Sequence, residues 1–174
     1  MLDLACLWAN AVSTEANVVK WITEKAYTDF GKEYDLTANH IDFVFKDYNF
    51  TEVLKAKKID CTDMATVVYL LSRLTGVQDI YMRRIHGPFF TNDILPTGPN
   101  AKWDWFWFIN HYCAWYDEKV FDACLQYNKP NPYIPIHEEF TDYKLKLWDN
   151  MVIFTLKEND WKPIVDIFGL PHFY

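Results

Sequence analysis

Positive charge is scarce in this chain. Only three of its 174 residues are arginine, at Arg73, Arg83 and Arg84, and the formal net charge is −7. A nucleic-acid surface needs clustered lysine and arginine to displace counterions, so partners of that class are set aside. Long apolar runs are missing too. None approaches the roughly 20 residues of a membrane helix, and no membrane span is expected. The opening stretch MLDLACLWANAV carries Asp3 and no basic segment, which argues against a signal peptide. A cytoplasmic location is favoured unless the chain is a domain of a longer, secreted protein.

Metal and crosslink patterns are equally thin. Cys6, Cys61, Cys113 and Cys124 form no CxxC pair, so a structural zinc site has no support. Four cysteines in a chain this size make no disulfide framework and are expected to be reduced. There is no D-x-[DN]-x-[DN]-G loop for calcium, and Glu138, Glu139 and Asp142 are expected to be solvated turns. No cofactor is expected. No repeat or low-complexity tract divides residues 1–174, which fit one domain able to bury a sizeable core.

What the chain does hold is apolar and aromatic. Half of it is hydrophobic and 18% is Phe, Trp or Tyr, a density that requires a packed globule. Residues 15–30 predict a helix, with Val18, Val19, Ile22, Ala26 and Phe30 on one stripe and Gly31 as its stop. Residues 36–47 are ambiguous, and residues 50–58 fit a short helix or turn. The best-patterned element is a helix over residues 60–75. Its Met64, Val67, Val68, Leu71 and Leu74 recur at the spacing of a buried face. Asp60 can cap it, Asp63 sits in its first turn, and Gly76 closes it.

Strands follow. IYMRRI, residues 80–85, predicts one, and the segment from Pro88 to Asn100 a loop. WDWFWFINHYCAWY, residues 103–116, predicts a long aromatic strand or a pair of strands. Residues 117–119 turn, and VFDACL, residues 120–125, returns. Prolines break the chain over 130–135, and MVIFTL, residues 151–156, is expected to add a further strand. Helices first and strands later favour an α+β fold with an antiparallel sheet.

Cys61 stands where the helix begins. A helix N-terminus offers unpaired N–H groups and partial positive charge, which favour a thiolate. The same N–H groups can receive the oxyanion formed when a thiolate attacks a carbonyl. The plain alternative is a small apolar cysteine that falls in a first turn. A nucleophile also needs a base and an orienting partner. Of the five histidines, His111 has a candidate partner. A two-residue turn at Asp117 and Glu118 places Trp115 opposite Val120 and Cys113 opposite Asp122, so His111 lies diagonal to Asp122 on one face. Cys61, His111 and Asp122 are then nucleophile, base and orienter.

These pieces resemble the transglutaminase-like branch of the papain-like fold. The likeness rests on CTDMA at residues 61–65, LLSRLTGV at 70–77, HYCAW at 111–115 and VFD at 120–122. It spans roughly residues 15–125, leaving 126–174 as a C-terminal strand and extension. It implies N-terminal helices packed on an antiparallel sheet, and a Cys61–His111–Asp122 triad. It further implies a cysteine-dependent amidase, peptidase or acyltransferase that acts on a peptide or protein substrate through a thioester. The sequence departs from the family in three places. Ile59 stands where many relatives have glycine, Cys113 where many have tryptophan, and the papain-type glutamine upstream of the nucleophile is absent. Trp21, Asn39 and His40 are candidates for a second oxyanion donor.

The tryptophans leave two readings open. An unbroken strand would put Trp103, Trp105 and Trp107 on the face of His111, and Trp105, Trp107 and Trp115 are candidate substrate contacts. Equally, both faces of that strand could be core, with Phe106 and Phe108 filling the other. A non-catalytic peptide- or glycan-binding module on the same scaffold is the rival function. Zinc held by Cys61, His111 and Cys124 is disfavoured because it would consume the nucleophile. His86, His137 and His172 are expected to be structural or surface residues, and Trp148 and Trp161 to pack in the C-terminal segment.

Overall fold

The computed structural model describes residues 1–10, 12–38, 40–42, 47–48, 50–98, 103, 106–127, 136–139 and 142–143. Helix α1 (Leu2–Trp8) packs beside α2 (Glu15–Thr28), where Trp8 meets Phe30 edge-on at 5.7 Å. Thr14 caps α2 by accepting from the Asn17 N–H at 3.3 Å. Val18, Val19, Ile22 and Ala26 form its buried stripe as their spacing predicts.

Short pieces follow: β1 (Glu33–Tyr34), then β2 (Ile41–Asp42) and the start of β3 (Asp47–Tyr48) in the ambiguous stretch, the short helix expected after it as α3 (Phe50–Lys55), and β4 (Lys58–Ile59). β1 and β4 pair in parallel, Tyr34 beside Ile59, while β2 and β3 pair antiparallel. This brings Tyr34 alongside the residue two places before Cys61.

Helix α4 (Cys61–Leu74) is the centre of the molecule. Asp60 and Asp63 form a reciprocal capping box: the Asp63 N–H donates to Asp60 Oδ1 at 2.8 Å and the Asp60 N–H to Asp63 Oδ2 at 3.3 Å. The helix is not the half-exposed amphipathic element its pattern suggests. Every residue from Cys61 to Ser72 is buried, because α1, α2, β2, β5 and β7 all contact it. Its polar residues tolerate this where the helix satisfies them internally, as when the Thr66 hydroxyl donates to the Thr62 carbonyl at 2.8 Å. Leu74, expected on the buried face, is 40% exposed at the helix end.

The main sheet runs β10 (Ile136–Glu139), β8 (Lys119–Asp122), β7 (Trp107–Tyr116), β5 (Tyr81–Phe90), all antiparallel. β5 reaches Phe90, past the expected loop start at Pro88. The expected return strand splits in two, because residues 123–124 bend and β9 (Leu125–Tyr127) leaves to pair with β6 (Ile94–Pro96). Glu138 and Glu139 lie on the edge strand β10, not in a turn, since β8 offers them an unpaired edge. The strand expected at 151–156 lies outside the described residues. Helices over an antiparallel sheet make the fold α+β. Among the described residues no helix is long and apolar enough to cross a membrane.

Candidate active site

The hairpin joining β7 to β8 sets the register of the site. Asp117 and Glu118 both take positive φ, 48° and 59°, the conformation of a tight two-residue hairpin turn. Trp115 pairs with Val120 and Ala114 with Phe121, the register expected for a two-residue turn. His111 and Asp122 meet: the ring Nε2 lies 2.8 Å from Asp122 Oδ2, and both side chains are fully buried.

Asp122 is held from three sides. Besides His111, the Tyr143 hydroxyl donates to Oδ2 at 2.7 Å and the Cys124 N–H to Oδ1 at 2.8 Å. The last bond spans two residues, an aspartate turn that accounts for the break after β8. Tyr143 escaped sequence reasoning, since only the fold brings residues 122 and 143 together. The Asp122–Ala–Cys124 turn was legible in principle, because aspartate commonly accepts from the N–H two residues on.

Cys61 is the first residue of α4 and 8% exposed. Burial disfavours charge on His111, but the Asp122 charge, its hydrogen bond and the neighbouring Cys61 outweigh that and raise the ring to about 10. His111 Nδ1 is buried with no partner in hydrogen-bond geometry. The ring therefore holds Asp122 with one nitrogen and leaves the other for Cys61. Burial and the nearby Asp122 and Cys61 push the thiols of Cys113 and Cys124 up, which disfavours the thiolate at both.

Tyr34 stands at the same thiol. It is 5% exposed, and its hydroxyl is buried without a hydrogen-bond partner. Burial, then the charges of Cys61 and Cys124, drive its pKa upward. Aromatic rings connect Tyr34 to His111. Tyr34 meets Trp103 at 5.5 Å, Trp103 meets Phe106 at 4.3 Å, Phe106 meets Phe108 at 4.9 Å, and Phe108 meets His111 at 5.2 Å.

Two of the candidate substrate contacts, Trp107 and Trp115, are described. Trp107 is 46% exposed and Phe108 is the residue against His111; the register of β5 with β7 shifts between His86 and Phe89, with the extra residue on β5. Trp115 is buried, with the Arg83 guanidinium 4.2 Å from its ring centroid, so it presents no open surface. Trp105 lies outside the described residues, as do Asn39, Trp148, Trp161 and His172. Of the remaining oxyanion candidates, Trp21 is 44% exposed on α2, and His40 is bound to Asp63 at 2.7 Å. His40 also lines a shallow cavity of about 330 Å³ with Asp35, Lys57 and Lys58, which neither Cys61 nor His111 enters. Among the described residues no three His, Cys, Asp or Glu side chains are grouped to hold a metal ion.

Comparison of the chain with family models, with curated proteins and with solved structures returns no match. The site's chemistry rests on its own geometry.

Proposed function

We propose that this protein is a cysteine-dependent acyl-transfer enzyme with a papain-like, transglutaminase-like arrangement, cleaving or exchanging amide bonds in peptides or proteins. One observation carries the reading: a buried His111–Asp122 pair whose second ring nitrogen is left without a partner beside a cysteine at a helix start.

In this mechanism the Cys61 thiol proton passes to His111 Nδ1. The thiolate sulfur attacks the substrate's acyl carbon, forming the S–C bond and a tetrahedral oxyanion near the first turn of α4. As the C–N bond breaks, Nδ1 returns that proton to the leaving amine, giving a thioester on Cys61. Water or a second amine then attacks the thioester, loses a proton to His111 and releases Cys61. Asp122 keeps the ring oriented and supports its charge throughout. No step uses a metal.

The test is to trap the thioester. The protein is incubated with a mixed peptide pool, quenched in acid and mapped by mass spectrometry. A hydroxylamine-labile acyl adduct on Cys61, lost in His111→Ala and unaffected by EDTA, is expected. Adducts spread over Cys6, Cys113 and Cys124, or activity restored only by added metal, would overturn the assignment. A binding module is the second reading, favoured by Trp107 and Ile109, which lie 46% and 62% exposed on β7. Saturable peptide or glycan binding weakened by Trp107→Ala, with no adduct on Cys61, would select it.

A further inference from the structure

Among the buried polar atoms without a partner, two belong to residues that act on Cys61: His111 Nδ1 and the Tyr34 hydroxyl. The first is explained by the proposed proton transfer. The second is not, and leaving a hydroxyl buried and unpaired is unfavourable unless something else uses it.

The fold takes trouble to place that hydroxyl. Tyr34 is fixed on β1 by pairing with β4, whose Ile59 carbonyl accepts from the Asp35 N–H at 2.8 Å. From the other side the Tyr34 N–H donates to the Thr97 carbonyl at 2.9 Å, and the Thr97 N–H to the Cys124 carbonyl at 2.7 Å. The Thr97 hydroxyl reaches the Tyr27 carbonyl on α2 at 2.8 Å. Gly98 lets this strap close: at φ +115°, a Cβ there would lie 2.9 Å from the Glu33 Cα. Tyr34 is thereby locked to the segment that carries Asp122 and Cys124, on one side, and to the start of α4 on the other.

We propose that Tyr34 is an oxyanion donor of this site, its hydroxyl donating to the tetrahedral oxygen formed at Cys61. The proposal rests on the acyl-transfer reading above. In the first turn of α4 the Asp60 carboxylate already takes hydrogen bonds from the Asp63 and Thr62 N–H groups, so a side-chain donor would supplement the N–H groups left to the oxyanion. The hydroxyl has no partner in good hydrogen-bond geometry and lies within reach of the Cys61 sulfur, so it can turn to the tetrahedral oxygen as charge builds there and favour the transition state over the ground state.

The experiment compares two reactions of Cys61 in the whole chain, unmodified and as Tyr34→Phe. Acylation by p-nitrophenyl acetate passes through an oxyanion, whereas alkylation by iodoacetamide is a direct displacement without one. Tyr34→Phe is expected to slow Cys61 acylation about 10²–10³-fold and to leave alkylation within about twofold. Its melting temperature is expected to stay level or rise, because the hydroxyl removed has no partner. Acylation unchanged in Tyr34→Phe overturns the proposal. An equal loss in both reactions also overturns it, because Tyr34 would then position the thiol only. Absence of Cys61-specific acylation in the unmodified chain, judged against Cys61→Ala, overturns the acyl-transfer reading itself and this inference with it.

Discussion

Two histidine–aspartate pairs flank the start of α4, and they match in length but not in chemistry. His111 and Asp122 lie 2.8 Å apart, and His40 and Asp63 2.7 Å apart. The first pair is fully buried, while the His40 side chain is 26% exposed. Asp63 also serves the helix cap, so its carboxylate is spent on holding Asp60 as well as His40. Asp122 is spent on His111, Tyr143 and the turn that leads to Cys124. Bond length therefore does not distinguish the two pairs. Burial does, because a low dielectric strengthens each interaction, and so does a third group at the other nitrogen of the His111 ring.

Asp122→Ala should break the comparison most severely. It leaves three buried donors unmatched, at a cost of about 3–5 kcal/mol, read from urea unfolding. The fold would survive Asp122→Asn better, making that the variant for kinetics. Asp63→Ala, which removes the partner of the Asp60 N–H and of the half-buried His40, should cost less, about 1–3 kcal/mol. Equal losses at the two positions would show that burial does not separate the pairs.

Next in size is reactivity. His111→Ala should slow acylation of Cys61 by p-nitrophenyl acetate by about 10²–10⁴-fold, the usual contribution of general acid–base catalysis. His40→Ala should change it less than about twofold. Comparable slowing in both variants would assign the chemistry to the wrong pair or to neither.

The pH dependence of stability sharpens the contrast further. The His111 ring is raised from 6.5 to about 10 in the folded protein; burial opposes the charged ring, but Asp122 and Cys61 prevail. A raised histidine stabilises the fold fully below its unfolded value, and that contribution is lost as pH rises through the folded value. Stability should therefore fall between pH 6.5 and about 10, with a slope of at most about 1.4 kcal/mol per pH unit from this group. Asp122→Asn should flatten that slope and His40→Ala should not. Denaturation curves collected across the window decide it.

The smallest effect lies at the hairpin that brings His111 to Asp122. Glu118 holds φ 59°, which costs a side-chain-bearing residue about 1–2 kcal/mol. Glycine relieves that but adds about 0.5–1 kcal/mol of chain entropy on folding. Glu118→Gly should gain less than about 1 kcal/mol by thermal melting, with acylation unchanged. A loss of acylation would mean that the turn does more than set the register.

Much of this was legible residue by residue where the signal is local. The stripe on α2, the Asp60 cap and the two-residue turn all depend on neighbours a few positions apart. Their physics is written in spacing: 3.6 residues for a helix face, two for a strand. The hairpin pairing of His111 with Asp122 belongs with them, because eleven residues and one tight turn define it. The aromatic strand misled, since a period-two reading holds only while the strand is regular. Phe108, not Trp107, meets His111, close to where the β5–β7 register shifts between His86 and Phe89.

By itself, the sequence determined a cysteine at a capped helix start, a hairpin with a histidine and an aspartate diagonal to one another on one face, and an α+β order of elements. Each follows from short-range sterics, capping and side-chain period. Tertiary structure alone decided that α4 is enclosed from Cys61 to Ser72, that Tyr143 holds Asp122, and that Tyr34 stands unpaired beside Cys61. Those facts join residues far apart in the chain, and only packing of the whole core fixes which distant groups share a low-dielectric site.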